Sequence, residues 1–542
     1  MTSDSLPHWC DARSTLPRLL VEQADRLGAK PLLRAHDGDL GYAGLADSAA
    51  AAAGALERHG CVPGEMAAIF LPNGRAFVQA WFASLFAGLA DAPVNTDFRK
   101  SLLAFTLTTS CPAVIFTDAA GLEALRDAEV RLCLAGVRLI VIAGTMPNAS
   151  LERAPDRDTA RLPPLVSFDE LLGSDPPGTA WERLDAAQLA SVRYTSGTTG
   201  PAKGAMQSHL HILNKSRLHN EILEMTADDV LYSPFPLHHN LASINGLIGT
   251  LQAGATMVSS RRFNASAFWP EARAAGATVG HVLYPLLPTL LAQPPSDDDR
   301  RHALRSLWMG WPHPEFEARF ATRLVQIYAL GEVGVVSWRR GGGATGAAGR
   351  PIAEMEVRIV DGLDRPQPAG VGGEIVVRPR QPHRVMLGYL NNLPATVHAF
   401  RNLWFHTGDA GSLGEDGELH FTGRLGDTIR RRGTNISADQ LESEVLRHGN
   451  VRECAVIGVP APFGEEDVHL CVVWRREPGD AEAEVAELLA FMHTRLPRSY
   501  VPRYVECLPE LPKTETGKVK KGELRQRTAF GRRWDREAGA WR

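Results

Sequence analysis

The segment YTSGTTGPAKG at residues 194–204 has the composition of a phosphate-binding loop. Four hydroxyl residues, three glycines and one lysine, Lys203, lie within its eleven positions. Glycine lets backbone N–H groups approach an anion closely, hydroxyls donate hydrogen bonds, and the lysine supplies a point charge. The loop is not a Walker A motif, because Gly204 follows the lysine where that motif has Ser or Thr. A flexible Ser/Thr/Gly linker would not need the sequence PAKG at its end (201–204), so the segment predicts a polyphosphate site.

The elements around this loop alternate between short apolar runs and Ala- and Leu-rich stretches. Residues 42–59 and 76–89 predict helices, and 66–71 predict a buried strand. Further strands are predicted at 113–116, 138–142, 256–259 and 277–282. This alternation predicts an α/β fold with largely parallel strands. Residues 143–185, rich in Pro, Asp and Gly, predict a surface excursion.

The composition changes again near Gly423. Predicted helices at 438–447 and 481–496 and predicted strands at 454–459 and 470–474 follow. A unit of this length is large enough for a separate α+β domain. We therefore expect a large N-terminal domain of layered, largely parallel α/β subdomains at 1–425 and a small mobile C-terminal domain at 426–542.

Length and composition exclude several classes of protein. The chain has 542 residues, 44% hydrophobic and 22% charged, which is ordinary for a folded protein of two to four domains. The net charge of -4 argues against a globally basic nucleic-acid binder. The seven cysteines form no CxxC pair, and the longest apolar run, 80–90, is too short to span a membrane. We expect a cytoplasmic protein, monomeric or homodimeric, with no nucleic-acid or membrane partner.

Further segments share the order found in one enzyme superfamily. They are DAPVN at 91–95, PLHH at 236–239, MGWP at 309–312, YALGE at 328–332, TGD at 407–409, GRLGD at 423–427 and PKTETGK at 512–518. With the loop, they resemble the adenylate-forming superfamily of acyl-CoA synthetases, adenylation domains and luciferases, over residues 42–524. Within it, the stretch 427–437 is most similar to crotonobetaine/carnitine–CoA ligases. A common order across so many segments is not explained by coincidence.

This resemblance implies an ATP- and Mg²⁺-dependent ligase. The catalytic residues that it implies are Lys518, Glu332 and His239. Lys518 would reach the substrate carboxylate and the α-phosphate together, where it offsets developing charge. Glu332, with Thr195, would hold Mg²⁺ against the ATP phosphates.

The resemblance also implies how the nucleotide is bound. Asp409 would accept hydrogen bonds from the ribose hydroxyls, and Arg424 would contact ribose or phosphate near the hinge. The other nucleotide-binding residues that it implies are Thr195, Ser196, Gly197, Thr198, Thr199, Gly200, Lys203, Gly310, Trp311 and Tyr328.

Four positions, in three segments, depart from the superfamily pattern. Ala329 and Gly331 replace the usual Gly and Thr of the segment 328–332. A hydrogen bond to a charged group is worth roughly 1.5–3 kcal/mol, so the missing threonine hydroxyl should slow adenylation without abolishing it. Gly331 also leaves room for an unusual substrate. Gly426 stands where the superfamily commonly has Asp or Lys, and a glycine there leaves the hinge backbone free to change conformation. Thr434 replaces a Glu that is common in the carnitine-type ligases, which weakens the case for a quaternary-amine substrate.

The acyl pocket implied by the resemblance is bulky and partly polar. Its positions here are His238, His239, Asn240, Ser243, Trp311, Tyr328 and Leu330. We therefore expect a small or aromatic acid. The first step would form acyl-AMP and pyrophosphate. The small domain would then rotate about Gly426 to admit CoA, with Arg431 and Arg432 as candidates for binding its phosphates.

Three alternative functions remain open at this stage. The acyl group could pass to the thiol of a separate carrier protein in place of CoA. An inorganic acid such as nitrite could be adenylated, which would make the protein a diazotase of the same fold. Finally, the chain could be a catalytically silent nucleotide-binding regulator, although the retention of Lys203, Glu332, Asp409, Arg424 and Lys518 counts against this.

Overall fold

The structure is a computed structural model. It describes residues 13–146, 162–195, 203–309, 313–340, 347–431, 434–461, 466–496, 500–514, 517–527 and 530–542. The chain divides into two compact units, the first formed by 1–195, 202–343 and 379–397 and the second by 196–201, 344–378 and 398–542. The fold is mixed α/β, as predicted.

The first unit contains two sheets. In spatial order, the strands of the first sheet are Gly388–Tyr389, Lys203–Ser208, Leu189–Thr195, Ala90–Pro93, Met66–Phe70, Val114–Thr117, Leu139–Ile142 and Leu165–Ser167. All pairs from Leu189–Thr195 to the last strand are parallel, whereas the first two strands run antiparallel to their neighbours. The all-apolar strand Met66–Phe70 is buried at every position, as expected for a parallel strand covered on both faces.

The second sheet of this unit is also mainly parallel. Its strands, in spatial order, are Gly38–Gly41, Pro31–Ala35, Thr256–Ser259, Val230–Ser233, Val279–His281, Ser306–Met309, Arg323–Leu330 and Gly334–Arg340. Only the outermost pair at each end is antiparallel among the described strands. The predicted strand at 256–259 is therefore confirmed to the residue.

Helices connect most of these parallel strands. Those up to residue 399 are Leu16–Leu27, Tyr42–Arg58, Arg75–Phe86, Lys100–Ser110, Ala119–Leu125, Ala128–Arg131, Phe168–Leu172, His209–Leu223, Gly249–Ala253, Ala265–Ala274, Leu287–Leu291, Pro314–Phe320 and Leu393–Ala399, with a π-helix at Leu241–Ile248. Part of the predicted surface excursion is regular structure, since Leu165–Ser167 pairs with Leu139–Ile142 at the edge of the first sheet. A strand of three residues is too short to give a periodic sequence pattern.

The second unit contains an antiparallel sheet and a C-terminal α+β region. The strands of the antiparallel sheet are, in spatial order, Met355–Val360, Gly373–Pro379, Phe405–Leu413, Leu419–Arg424 and Ala347–Pro351. The C-terminal region has the hairpin Thr428–Arg431 and Thr434–Ser437, the sheet Val451–Pro460, Glu466–Trp474, Tyr504–Cys507, Arg533–Asp535 and Ala540–Trp541, and the helices Ala438–Val445, Ala481–Arg495 and Lys521–Arg525. This region has its own apolar core, which includes Leu441, Val456 and Leu488.

Along the described residues, no helix combines the length and apolar character that crossing a membrane requires.

Candidate functional site

Several residues predicted for the site lie outside the described part of the chain. They are Ser196, Gly197, Thr198, Thr199, Gly200, Gly310 and Trp311. The ends of the predicted phosphate loop are nevertheless defined. Thr195 ends the strand Leu189–Thr195, Lys203 begins the strand Lys203–Ser208, and the two residues are paired across the antiparallel ladder. The loop therefore connects two adjacent strands at one end of the first sheet.

Lys203 and Glu332 are brought together by Tyr389, a residue that the sequence analysis missed. The Tyr389 hydroxyl donates a hydrogen bond to Glu332 Oε1 at 3.0 Å. The Lys203 ammonium lies 5.2 Å from the centre of the Tyr389 ring, within the range of a cation–π interaction. Tyr389 reaches this position because Gly388–Tyr389 pairs with the strand that Lys203 begins. The isolated Gly-Tyr pair carries no sequence pattern that could have indicated this.

Glu332 lies in the turn between the strands Arg323–Leu330 and Gly334–Arg340. The backbone N–H of Met386 donates to the Glu332 carbonyl at 2.8 Å, which fixes the turn. The Glu332 carboxylate, with one oxygen oriented by Tyr389, is a hard oxygen ligand of the kind that Mg²⁺ takes.

The preceding residue, Gly331, is held by a buried lysine. Lys215, on the helix His209–Leu223, donates from Nζ to the Gly331 carbonyl at 2.9 Å and to Gln207 Oε1 at 3.3 Å. A Cβ at Gly334, where φ is +84°, would lie 2.9 Å from Lys215 Cγ, so the lysine passes directly over this glycine. The pKa of Lys215 is lowered to about 7, mainly by burial, while the charge of Glu332 opposes the shift and the charge of Arg193 adds to it. The sequence analysis did not single out Lys215.

A buried ion pair lies within electrostatic reach of Lys215. Arg193 is 3% exposed and its Nη2 lies 3.2 Å from Asp91 Oδ2. Asp91 also accepts hydrogen bonds from Trp81 Nε1 at 2.8 Å and from Ser191 at 3.2 Å, and the Arg193 guanidinium lies over the Trp81 ring. Despite the ion pair, none of the three guanidinium nitrogens of Arg193 has a hydrogen-bond partner among the residues that the structure describes.

His238 and His239 follow the strand Val230–Ser233 of the second sheet. Asn73 fixes this turn, because its side chain accepts from the Leu237 N–H at 2.7 Å and donates to the Phe235 carbonyl at 2.9 Å. The two imidazole rings are 4.3 Å apart. The pKa of His238 is lowered to about 3, mainly by burial, with smaller contributions from the charges of His239 and Arg193.

His239 stands directly before an unusual helix. Its carbonyl accepts the Ser243 hydroxyl at 2.8 Å and the Ser243 N–H at 3.2 Å, which joins it to the π-helix Leu241–Ile248. π-Helices are rare and frequently occur at functional sites. Tyr328, the other predicted residue of this region, is buried in the strand Arg323–Leu330.

In the second unit, Asp409 and Arg424 face one another across adjacent strands. Arg424 Nε lies 2.9 Å from Asp409 Oδ1, and its Nη1 donates to the Thr407 carbonyl at 3.1 Å. The Thr407 hydroxyl in turn accepts the Asp409 N–H at 3.0 Å. Asp409 is only 2% exposed, so this pair is a preformed charged group at the end of the antiparallel sheet.

Lys518 lies close enough to this pair for the three charges to interact. It sits on a turn in which its N–H donates to Thr514 Oγ1 at 3.1 Å and its carbonyl accepts from the Thr514 N–H at 2.7 Å. The residue is exposed as a whole. Loss of water around the ammonium group and the charge of Arg424 nevertheless lower the pKa of Lys518, while Asp409 and Asp439 oppose the shift. The charges of Asp409 and Arg424 thus both act on Lys518.

Arg431, a candidate for binding CoA phosphates, is buried. Its Nε lies 3.2 Å from Asp467 Oδ1 and its Nη1 donates to the Val501 carbonyl at 3.0 Å. These contacts favour a structural role in the C-terminal region. Arg432 lies outside the described residues.

Comparison with known proteins identifies the family. A model described as "AMP-binding enzyme" matches residues 20–390, and one described as "AMP-binding enzyme C-terminal domain" matches 440–518. The chain belongs to the AMP-binding enzyme family. The predicted superfamily and the predicted enzyme class, an AMP-forming ligase, are confirmed.

Relatives cover nearly the whole chain. A sulfoacetate–CoA ligase from Cupriavidus necator is 30% identical, and the match covers 94% of this chain and 97% of the relative. A crotonobetaine/carnitine–CoA ligase from Shigella sonnei is 27% identical, covering 85% and 88%. The crystal structure of an anthranilate CoA ligase in complex with anthranoyl-AMP has a TM-score of 0.81 at 21% identity, over 97% of this chain and 98% of that one. The last comparison supports the fold alone.

Proposed function

We propose that the protein is an ATP-dependent carboxylic acid–CoA ligase. It would activate a small or aromatic acid as acyl-AMP, release pyrophosphate, and transfer the acyl group to the CoA thiol. The observation that carries this proposal is the Asp409–Arg424 pair with Lys518 beside it, because a ribose acceptor and a catalytic cation must act on one nucleotide. The names of the relatives, CoA ligases for different acids, support the reaction and leave the acid open.

In the first step, the residues of the second unit would position the nucleotide. The buried Asp409 carboxylate would accept hydrogen bonds from the ribose hydroxyls, and Arg424 would hold that carboxylate in place. Lys518 would place its positive charge between the acid carboxylate and the α-phosphate. Its contribution is electrostatic, since two anions must approach one another before the new bond can form.

The residues of the first unit would hold the β- and γ-phosphates. Lys203 would supply positive charge at the end of the loop 194–204, and Glu332 and Thr195 would bind Mg²⁺. The oriented carboxylate of Glu332 fits this ion. When bound, Mg²⁺ would neutralise phosphate charge. Tyr389 would hold the Glu332 carboxylate by its hydrogen bond and the Lys203 ammonium group by its ring. His239 would border the acid.

For the second step, we propose that the chain acts as two domains, 1–425 and 426–542, with the hinge at Gly426. Rotation of the C-terminal domain would withdraw Lys518 after acyl-AMP has formed and open the site to the CoA thiol. A glycine at this position permits the backbone change that a hinge requires.

The test is pyrophosphate release from Mg·ATP with a panel of small, aromatic and betaine-like acids and nitrite, each with and without CoA. We expect release that depends on one organic acid, together with its CoA thioester. Release with an acid but no thioester would favour transfer to a carrier protein. Release with nitrite alone, in the presence of an arylamine acceptor, would favour the diazotase. No release with any acid would contradict the proposal.

A further inference from the structure

A buried cluster of basic groups in the first unit includes two residues, Arg193 and Lys215, that have no role in the reaction proposed above. It consists of Arg193, Lys215 and His238, and the charge of Arg193 acts on both of the others. Arg193 and Lys215 are 3% and 5% exposed. The charge of Arg193 acts on Lys215, and both side chains are cut off from water, so a fold retains them there only where something compensates.

The charge and the hydrogen-bond donors of Arg193 are only partly satisfied by other groups of the protein. Among the described residues, the carboxylate paired with it is that of Asp91, which also accepts hydrogen bonds from Trp81 Nε1 and the Ser191 hydroxyl. All three guanidinium nitrogens are buried and have no hydrogen-bond partner in the described part of the chain. Buried polar groups in folded proteins are nearly always hydrogen-bonded, and a guanidinium matches an oxyanion in geometry and charge. The unfilled donors therefore point to an anionic ligand.

The position of Lys215 indicates where that anion belongs. Its ammonium group contacts the Gly331 carbonyl, next to Glu332 and at the end of the strand that contains Tyr328. Under the proposed function, this strand end borders the acid. The triphosphate is assigned to Lys203, which faces Glu332 through Tyr389. The basic cluster is thus suited to a group of the acid substrate.

We propose that Lys215 and Arg193 form an anion subsite that binds a second acidic group of the substrate. The preferred acids would be short and carry a negative group, a carboxylate or a sulfonate, at the end opposite the reacting carboxylate. This proposal rests on the proposed function. It adds the class of acid, which neither the fold nor the family supplies.

Equilibrium binding tests the subsite separately from turnover. Calorimetry on the full-length protein with AMP present compares malonate and sulfoacetate with propionate, an acid of similar size and one charge. We expect the doubly charged acids to bind the wild-type protein at least tenfold more tightly. Propionate binding equally well or better would overturn the proposal, as would no binding of any of the three acids.

The variant Lys215→Met removes the charge and keeps much of the side-chain length. We expect it to lose at least tenfold in affinity for malonate and sulfoacetate and to keep its affinity for propionate. The matched control is Arg217→Met on the same helix, whose guanidinium pairs with Glu221. An equal loss of affinity for all three acids would show that Lys215 only supports Gly331. ATP is titrated in the same way, and a loss of affinity for ATP alone would assign the subsite to phosphate. Either result would overturn the proposal.

Thioester formation, measured in parallel, separates this inference from the proposed function. Tight binding of doubly charged acids without pyrophosphate release or thioester would preserve the subsite and contradict the ligase. Efficient thioester formation with singly charged acids alone would support the ligase and contradict the subsite.

Discussion

The two units hold their parts of the proposed site in different ways. In the first unit, the turn that contains Glu332 is bonded from three directions. Tyr389 binds its carboxylate, the Met386 N–H binds its carbonyl, and the buried Lys215 binds the carbonyl of Gly331. In the second unit, Lys518 is carried by an exposed turn closed by hydrogen bonds to Thr514.

This difference matches what a reaction in two steps requires. A metal and phosphate site gains from being preorganised, because fixed groups need no rearrangement when charge develops. A catalytic lysine needed in one step alone gains from a segment that breaks few bonds when it moves. The following predictions test whether the firmly held Glu332 turn serves metal and phosphate binding and whether the Lys518 turn serves the first step alone.

The largest effect is expected for Lys518→Ala. Removing the cation should lower acid-dependent pyrophosphate release by about 10²- to 10³-fold, as loss of a preorganised charge at a reacting centre does. Thioester formation from supplied acyl-AMP should be retained, because Lys518 acts in the first step only. The control is Lys520→Ala, two residues on, whose ammonium pairs with Glu523 at 2.7 Å. Equal loss of both steps would contradict a role confined to adenylation.

A smaller effect is expected in the first unit, for the variant Tyr389→Phe. The Glu332 carboxylate loses the hydroxyl that orients it, and partners of this kind typically contribute 10- to 100-fold in metal affinity. We expect the Mg²⁺ concentration that gives half-maximal pyrophosphate release to rise by about that factor. Tyr42→Phe is the matched control, since its buried hydroxyl donates to the Ala255 carbonyl instead. An unchanged Mg²⁺ requirement would show that Glu332 is oriented without Tyr389.

These two variants also show what the sequence could and could not predict. Lys518 was predicted because its motif is continuous in the chain. Tyr389 was missed because its role arises from strand pairing with residues far away in the sequence. Lys215 and Arg193 were missed for a similar reason, as a charged residue in a sequence is ordinarily taken as solvated, and burial depends on what packs against it.

The fold was more predictable than the site. Long amphipathic helices and fully buried parallel strands have a clear pattern, and Tyr42–Arg58 and Met66–Phe70 each end within one residue of the prediction. The antiparallel sheet of the second unit was not foreseen, because its strands pair with partners far away in the sequence and no local pattern indicates such pairing. Asp409 and Arg424 become neighbours only through that register.

Gly517→Ala tests the turn that carries Lys518. Gly517 has φ of +78°, and a Cβ there would contact no other atom within 4 Å, so the penalty is one of backbone conformation. That penalty is about 1–2 kcal/mol, which corresponds to a roughly five- to thirtyfold slower adenylation step if the turn must form. Gly539→Ala is the control, with φ of +63° and the same open surroundings. If both variants slow adenylation equally, the turn has no special role.

The smallest expected effect is a shift in the pH dependence of pyrophosphate release. The pKa of Lys518 lies below the ordinary lysine value of 10.5, because its ammonium group loses water and Arg424 is close. The protonated form is the active one in the first step, and lowering the pKa means that this form is lost at a lower pH than for an ordinary lysine. Pyrophosphate release should therefore decline as pH rises through a value below 10.5. In Arg424→Gln the removal of a neighbouring positive charge should move this decline to higher pH, and a decline that stays in place would show that Arg424 does not act on Lys518.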